Sequence, residues 1–188
     1  MIEEIFLSNH VSPDICNAPN DIVKVVYEEC FVDLGKELTP TQVKNKPNVF
    51  FECDDSTYYT LVLTDPDAPS RKEPILGECK HWLVMNIPGN NVEKGETIAE
   101  YIGSGPPKGT GLHRYIFLVY KQKQKIDTTN ETKASNRSRD DRLKWNVKEF
   151  SKKYDLDGPL YGNFYQAQYD DYVPILHAQL GSGPQKTN

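Results

Sequence analysis

Two aspartates, two histidines and a tyrosine carry the chemistry that this sequence offers. Asp65 and Asp67 lie in the turn Asp65-Pro-Asp-Ala-Pro69, His81 opens an apolar run, and His113 and Tyr115 stand two apart behind a glycine-rich stretch. A carboxylate beside an imidazole fixes its tautomer and can receive an ammonium group. Imidazole N–H, phenol O–H and glycine amides donate to an anion. The set suits a small phosphorylated or zwitterionic ligand. For a metal-assisted phosphoester enzyme the sequence offers no HxH or HExxH spacing, and for a serine hydrolase no GxSxG. Binding without catalysis, cofactor or metal is therefore the expectation. Each residue also has a plainer use: Asp65 and Asp67 can close the turn by Asx bonding, and Arg114 can serve as an ion-pair partner.

The elements that must position these residues are strands. Residues 22–28, 49–52, 58–64 and 163–169 read as strands. Residues 81–87 and 112–121 are apolar on both alternating faces, as central strands covered on two sides are. In antiparallel pairing the end of one strand lies beside the start of its neighbour, so Asp65, His81 and His113 can meet at one sheet edge. His113 and Tyr115 share a face and Arg114 points away. The stretch Gly103-Ser-Gly-Pro-Pro-Lys-Gly-Thr-Gly111 can wall that edge with bare backbone. Leu143, Val147, Phe150 and Tyr154 form one helix stripe, and residues 172–180 a short last helix with Pro174 in its first turn. The pattern predicts a mainly β fold, a sandwich with late helices.

The 188 residues fit one domain, with a mobile polar excursion at about 127–142. The four cysteines, at 16, 30, 53 and 79, form neither a zinc ribbon nor a disulfide scaffold, so reduced thiols and a cytoplasmic location are expected. The opening Met1-Ile-Glu-Glu-Ile-Phe6 lacks the basic flank and apolar core of a signal peptide, and no apolar run reaches the length of a membrane span. Net charge is −5, distributed unevenly: residues 121–153 hold 11 basic and 5 acidic side chains on an otherwise acidic body. That stretch can attract anionic headgroups or an acidic partner, whereas the whole domain would repel nucleic acid. Ser135, Ser138 and Ser151 each follow a basic residue within three positions and are candidate kinase sites.

Tyr58-Tyr-Thr-Leu-Val-Leu-Thr-Asp-Pro-Asp-Ala-Pro-Ser-Arg-Lys72 and Gly103-Ser-Gly-Pro-Pro-Lys-Gly-Thr-Gly-Leu-His-Arg-Tyr115 closely resemble the two signature regions of the phosphatidylethanolamine-binding family, which includes the Raf kinase inhibitor protein. The likeness extends to Leu38-Thr-Pro-Thr-Gln-Val-Lys-Asn45 and Asp170-Asp-Tyr-Val-Pro174. It implies an antiparallel Greek-key β-sandwich with a large central sheet, a smaller second sheet and C-terminal helices. It also implies a pocket for phosphoethanolamine or another small phosphate anion, lined by Asp65, Asp67, His81, Gly105, Pro107, His113 and Tyr115. Ala68–Pro69 is the bond that such proteins hold cis. Regulation of a protein kinase, peripheral membrane contact and action as an inhibitor are the implied cellular roles. Two positions depart from the pattern: Cys79 stands where an aromatic residue is usual, and His177 where a tyrosine often closes the mouth. No lysine or arginine is expected against the ligand, and His81 and His113 are expected to change charge near neutral pH.

Overall fold

A computed structural model describes residues 1–184 and 186. Three long apolar strands form its centre: β4 (Tyr58–Asp65), β5 (Cys79–Pro88) and β7 (His113–Lys121). Each is buried along almost its whole length, so both faces of the sheet must be covered. With β1 (Asp21–Ile22), β6 (Glu96–Ala99) and β8 (Asp157–Ala167) they make a six-stranded sheet in the order β1-β8-β7-β4-β5-β6. One face packs Leu61, Leu63, Trp82, Phe117 and Val119 against Val25 and Val49 of a two-stranded sheet, β2 (Lys24–Val26) with β3 (Asn48–Phe50). On the opposite face Val62, Leu83, Ile116 and Leu118 meet Phe6 of helix α1 (Ile2–Ser8) and Val147 and Phe150 of helix α2 (Val147–Lys153). The alternation along each strand is the period of two that divides a strand between two cores. Helix α3 (Val173–Leu180), with Pro174 in its first turn, packs Leu176 and Leu180 on Ile102 beside the sheet edge.

The fold is the expected mainly β one with a large and a small sheet, and it differs in detail. The run 22–28 breaks at Val23 into two strands on different sheets, and β1 pairs parallel to β8, so the large sheet is mixed rather than wholly antiparallel. Strand β8 starts six residues earlier than the sequence pattern suggested, because glycines and Pro159 interrupt its apolar alternation. Gly162 has a packing reason, since a Cβ there would lie 2.7 Å from Pro19 and 3.0 Å from the Phe6 ring. Helix α2 begins at Val147, not Leu143: Asn146 caps it by accepting from Glu149 N at 2.9 Å, and Leu143 stays outside the helix.

The segment expected as a polar excursion at 127–142 is fastened at several points. Ala134 exchanges main-chain bonds with Ile98 and Glu100 at 2.8 and 2.9 Å, extending the sheet edge beyond β6. Arg142, further along, is buried.

Candidate functional site

Strand pairing brings the chemistry-bearing residues together. Asp65 ends β4 and pairs with Cys79 at the start of β5, while Thr64 pairs with Ile116 near the start of β7. Between Leu63–Trp82 and Thr64–Lys80 the register skips a residue on β5, and the skipped residue is His81. Such a bulge re-aims a side chain, which is how an imidazole leaves a pleated row to face the edge. Beside these strand ends lies a cavity of about 200 Å³. Of the expected residues, Asp65, His81, Gly105, Pro107, His113 and Tyr115 line it, together with the rim candidates Cys79 and His177.

The two histidines are held differently. His81 Nδ1 lies 3.0 Å from Gly103 O and 3.3 Å from Ile102 O. Carbonyls only accept, so Nδ1 carries the proton and the neutral ring presents Nε2 as an acceptor. Burial pushes the His81 imidazolium below its ordinary range, against the pull of Asp65. His81 is therefore neutral at pH 7, and the expected charge change near neutrality is displaced to lower pH. His113 donates from Nδ1 to Asp65 Oδ2 at 3.0 Å and meets Thr110 Oγ1 through Nε2 at 2.9 Å. The Thr110 hydroxyl also reaches Pro107 O at 2.7 Å, so its one proton serves either the loop or the imidazole.

An aromatic ladder fixes the floor. His113 stacks on Tyr115 at 6.3 Å between ring centres, and Tyr115 on its cross-strand partner Tyr165 at 5.1 Å. His81 meets Tyr115 edge to face at 5.2 Å. Tyr165 is tied to the glycine loop through Ser104, hydroxyl to hydroxyl at 2.6 Å. Burial, with Asp65 adding to it, holds the Tyr115 phenol well above its usual range, so it acts as a hydroxyl and never as a phenolate.

At the mouth, His177 of α3 donates from Nε2 to Gly105 O at 2.9 Å. Gly105 is needed there: a Cβ would come within 3.0 Å of Leu176 and 3.2 Å of His177. Burial and Asp65 push the Cys79 thiol up to about 12, so it is protonated at pH 7. Ala68–Pro69, in the turn that carries Asp65, is cis.

Asp67 is placed elsewhere. Its main-chain N–H donates to Asp65 Oδ1 at 2.6 Å, and both its oxygens are occupied by Arg114, Oδ1 by Nη2 at 2.7 Å and Oδ2 by Nε at 2.9 Å. Arg114 Nη1 donates onward to Asn9 O and His10 O. Because its side chain faces away from the cavity into this clamp, Asp67 does not line the site, contrary to its expected part in the pocket. It braces the turn that holds Asp65.

Cations also reach the cavity, where none was expected. Arg139 and Arg142 line the cavity, as do Leu76, Leu143 and Leu176. The polar stretch that carries both arginines has no periodicity to show which of them turns inward. The wall is thus apolar on one side, with guanidinium groups where neutral donors alone were expected. Among the described residues no group of three or more His, Cys, Asp or Glu side chains is arranged to hold a metal ion. No helix among them is long and apolar enough to cross a membrane.

A mixed sheet covered on both faces, with a cavity at the ends of its central strands, defines the class of protein. The profile of the phosphatidylethanolamine-binding protein family matches residues 33–165, and the chain belongs to that family. A Drosophila melanogaster relative named "Putative odorant-binding protein A5" is 36% identical over 181 residues, covering 95% of this chain and 86% of the relative. The carboxypeptidase Y inhibitor, solved in complex with its cognate proteinase, superposes with a TM-score of 0.76 at 26% identity, over 89% of this chain and 94% of the inhibitor. The solution structure of the protein CG7054 gives a TM-score of 0.74 at 46% identity, over 90% and 97% of the two chains.

Proposed function

We propose that this chain is a binding protein for a small phosphorylated anion, with phosphoethanolamine, free or as a lipid headgroup, as the ligand that best fits the cavity. The observation that carries this reading is the mixed polarity of one small chamber. Asp65 and the unprotonated Nε2 of His81 are acceptors for an ammonium or a phosphate hydroxyl, while Tyr115, Arg139 and Arg142 supply donors. A zwitterion uses both sets. Charge-assisted bonds of about 1.5–3 kcal/mol each, offset by the cost of association, give affinities in the micromolar-to-millimolar range. The membership of a phosphatidylethanolamine-binding family supports the choice of ligand. Under this reading the protein works in the cytoplasm and touches membranes only at their surface.

The second part of the reading is regulation of a protein kinase or protease through ligand- or phosphorylation-dependent contact. It is supported by the likeness to a proteinase inhibitor.

A phosphorus NMR titration of phosphoethanolamine tests the site. Wild-type protein should saturate, and His113→Ala should lose binding while still unfolding cooperatively in urea. Unchanged affinity in that variant would remove His113 and its cavity from the account.

A further inference from the structure

Arg142 is 1% exposed, yet no carboxylate pairs with it among the described residues. All of its hydrogen bonds run to main-chain carbonyls: Nη1 to Lys80 O at 3.0 Å, and Nη2 to Glu100 O at 2.8 Å, Ser135 O at 2.9 Å and, at the limit of reach, Ala134 O at 3.5 Å. Its Nε is the one buried side-chain polar atom without a hydrogen-bond partner among the described residues. Carbonyl dipoles solvate a guanidinium without neutralising it, and a buried charge that lacks a counter-ion is costly. Burial pushes this guanidinium down to about 10, which still leaves it charged at pH 7. It lines the cavity from a fixed place, held against β5 at Lys80, the residue between Cys79 and His81.

A buried cation without a counter-ion, in the wall of a cavity, attracts an anion to that cavity. We propose that Arg142 is the cation of this cavity: the phosphate of a bound ligand supplies the counter-charge that the guanidinium lacks. The proposal rests on the reading of the cavity as a phosphate site and assigns the group that selects for negative charge there. It also gives the segment 127–142 a use, because the same guanidinium fastens Ala134 and Ser135 to β5. Arg139, which is exposed, also lines the cavity and takes no part in this clamp.

The test uses the wild-type protein labelled with nitrogen-15. The Arg142 Nε–H resonance, assigned by its loss in Arg142→Lys, is followed while inorganic phosphate is added, and in a second series phosphoethanolamine. The Nε–H proton should move downfield and saturate at the same concentration as the His113 ring signals. Saturation with inorganic phosphate identifies the bare anion as sufficient; saturation with phosphoethanolamine alone identifies the headgroup. Arg142→Lys keeps the charge but loses the carbonyl clamp that fixes its place beside the cavity, and should bind about tenfold more weakly. If the variant does not fold, the Nε–H resonance is assigned in the wild type from its through-space contacts to Lys80, whose carbonyl Arg142 holds, and that titration decides. His113 signals that shift while Arg142 Nε–H stays still would overturn this proposal and leave the phosphate site standing. Silence of both would overturn the two together.

Discussion

Arg114 and Arg142 are both buried, and the fold treats them in opposite ways. Arg114 is closed on all sides: a bidentate grip on Asp67, a further bond from its own main-chain N–H to that carboxylate at 2.8 Å, and two carbonyls of the N-terminal loop. Arg142 has carbonyls only, an idle Nε, and a cavity beside it. The first pair joins the Asp65–Pro69 turn to β7 and to the residues after α1, a structural joint whose charges cancel. The second leaves a charge in reserve at the place where Asp65, His81 and His113 converge. Burial by itself therefore says little about use; what distinguishes the two arginines is whether the charge is matched.

The comparison breaks most visibly in stability. Arg114→Met strands the Asp67 carboxylate in the interior and should cost about 3–5 kcal/mol in urea denaturation. Arg142→Met strands no charge, only carbonyls, and should cost about 1–3 kcal/mol. Equal losses would show that Arg142 is as much a joint as Arg114.

A third buried charge sharpens the rule from the acid side. Glu78 accepts from Thr64 Oγ1 at 3.0 Å and Val147 N at 3.2 Å, and no cation among the described residues pairs with it. Burial pushes its carboxyl from 4.5 up to about 7. A folded-state value above the unfolded one means that Glu78's contribution is fully present below pH 4.5 and is lost as pH rises through 7. The gap corresponds to at most about 3 kcal/mol. His81 acts in the opposite sense: its folded value is depressed, so its contribution is full above the ordinary 6.5 and fades below it. The clean quantity is the difference between wild type and Glu78→Gln, measured by denaturation between pH 5 and pH 8. That difference should favour wild type more at pH 5 than at pH 8. A difference independent of pH would mean that Glu78 is ionised throughout.

Much of the site was legible because strand ends and the period of two are strong constraints. Asp65 at the end of one apolar strand, with His81 and His113 at the starts of two others, had to converge once those strands paired antiparallel. The bulge that turns His81 toward the edge has no signature in the residues around it. Asp67 misled because alternation says which residues share a face and nothing about which cation waits on it. Arg142 was hidden for a related reason: in a stretch nearly without apolar residues, no periodicity marks the one side chain that folds inward. Helix α1 and strand β6 were missed as well. A single helix of seven residues and an edge strand of four carry too few apolar positions to define a period.

Under the proposed function, the chamber at the ends of β4, β5 and β7 holds a phosphate. Crystals of the wild-type protein soaked in phosphoethanolamine test it most directly, through the position of the phosphorus atom. The phosphorus is expected in the cavity beside Tyr115, on the side that Arg142 lines, with the ammonium toward Asp65 and His81. Phosphoethanolamine bound only at the surface lysines of 121–153, with the chamber holding solvent at saturating ligand, would contradict it.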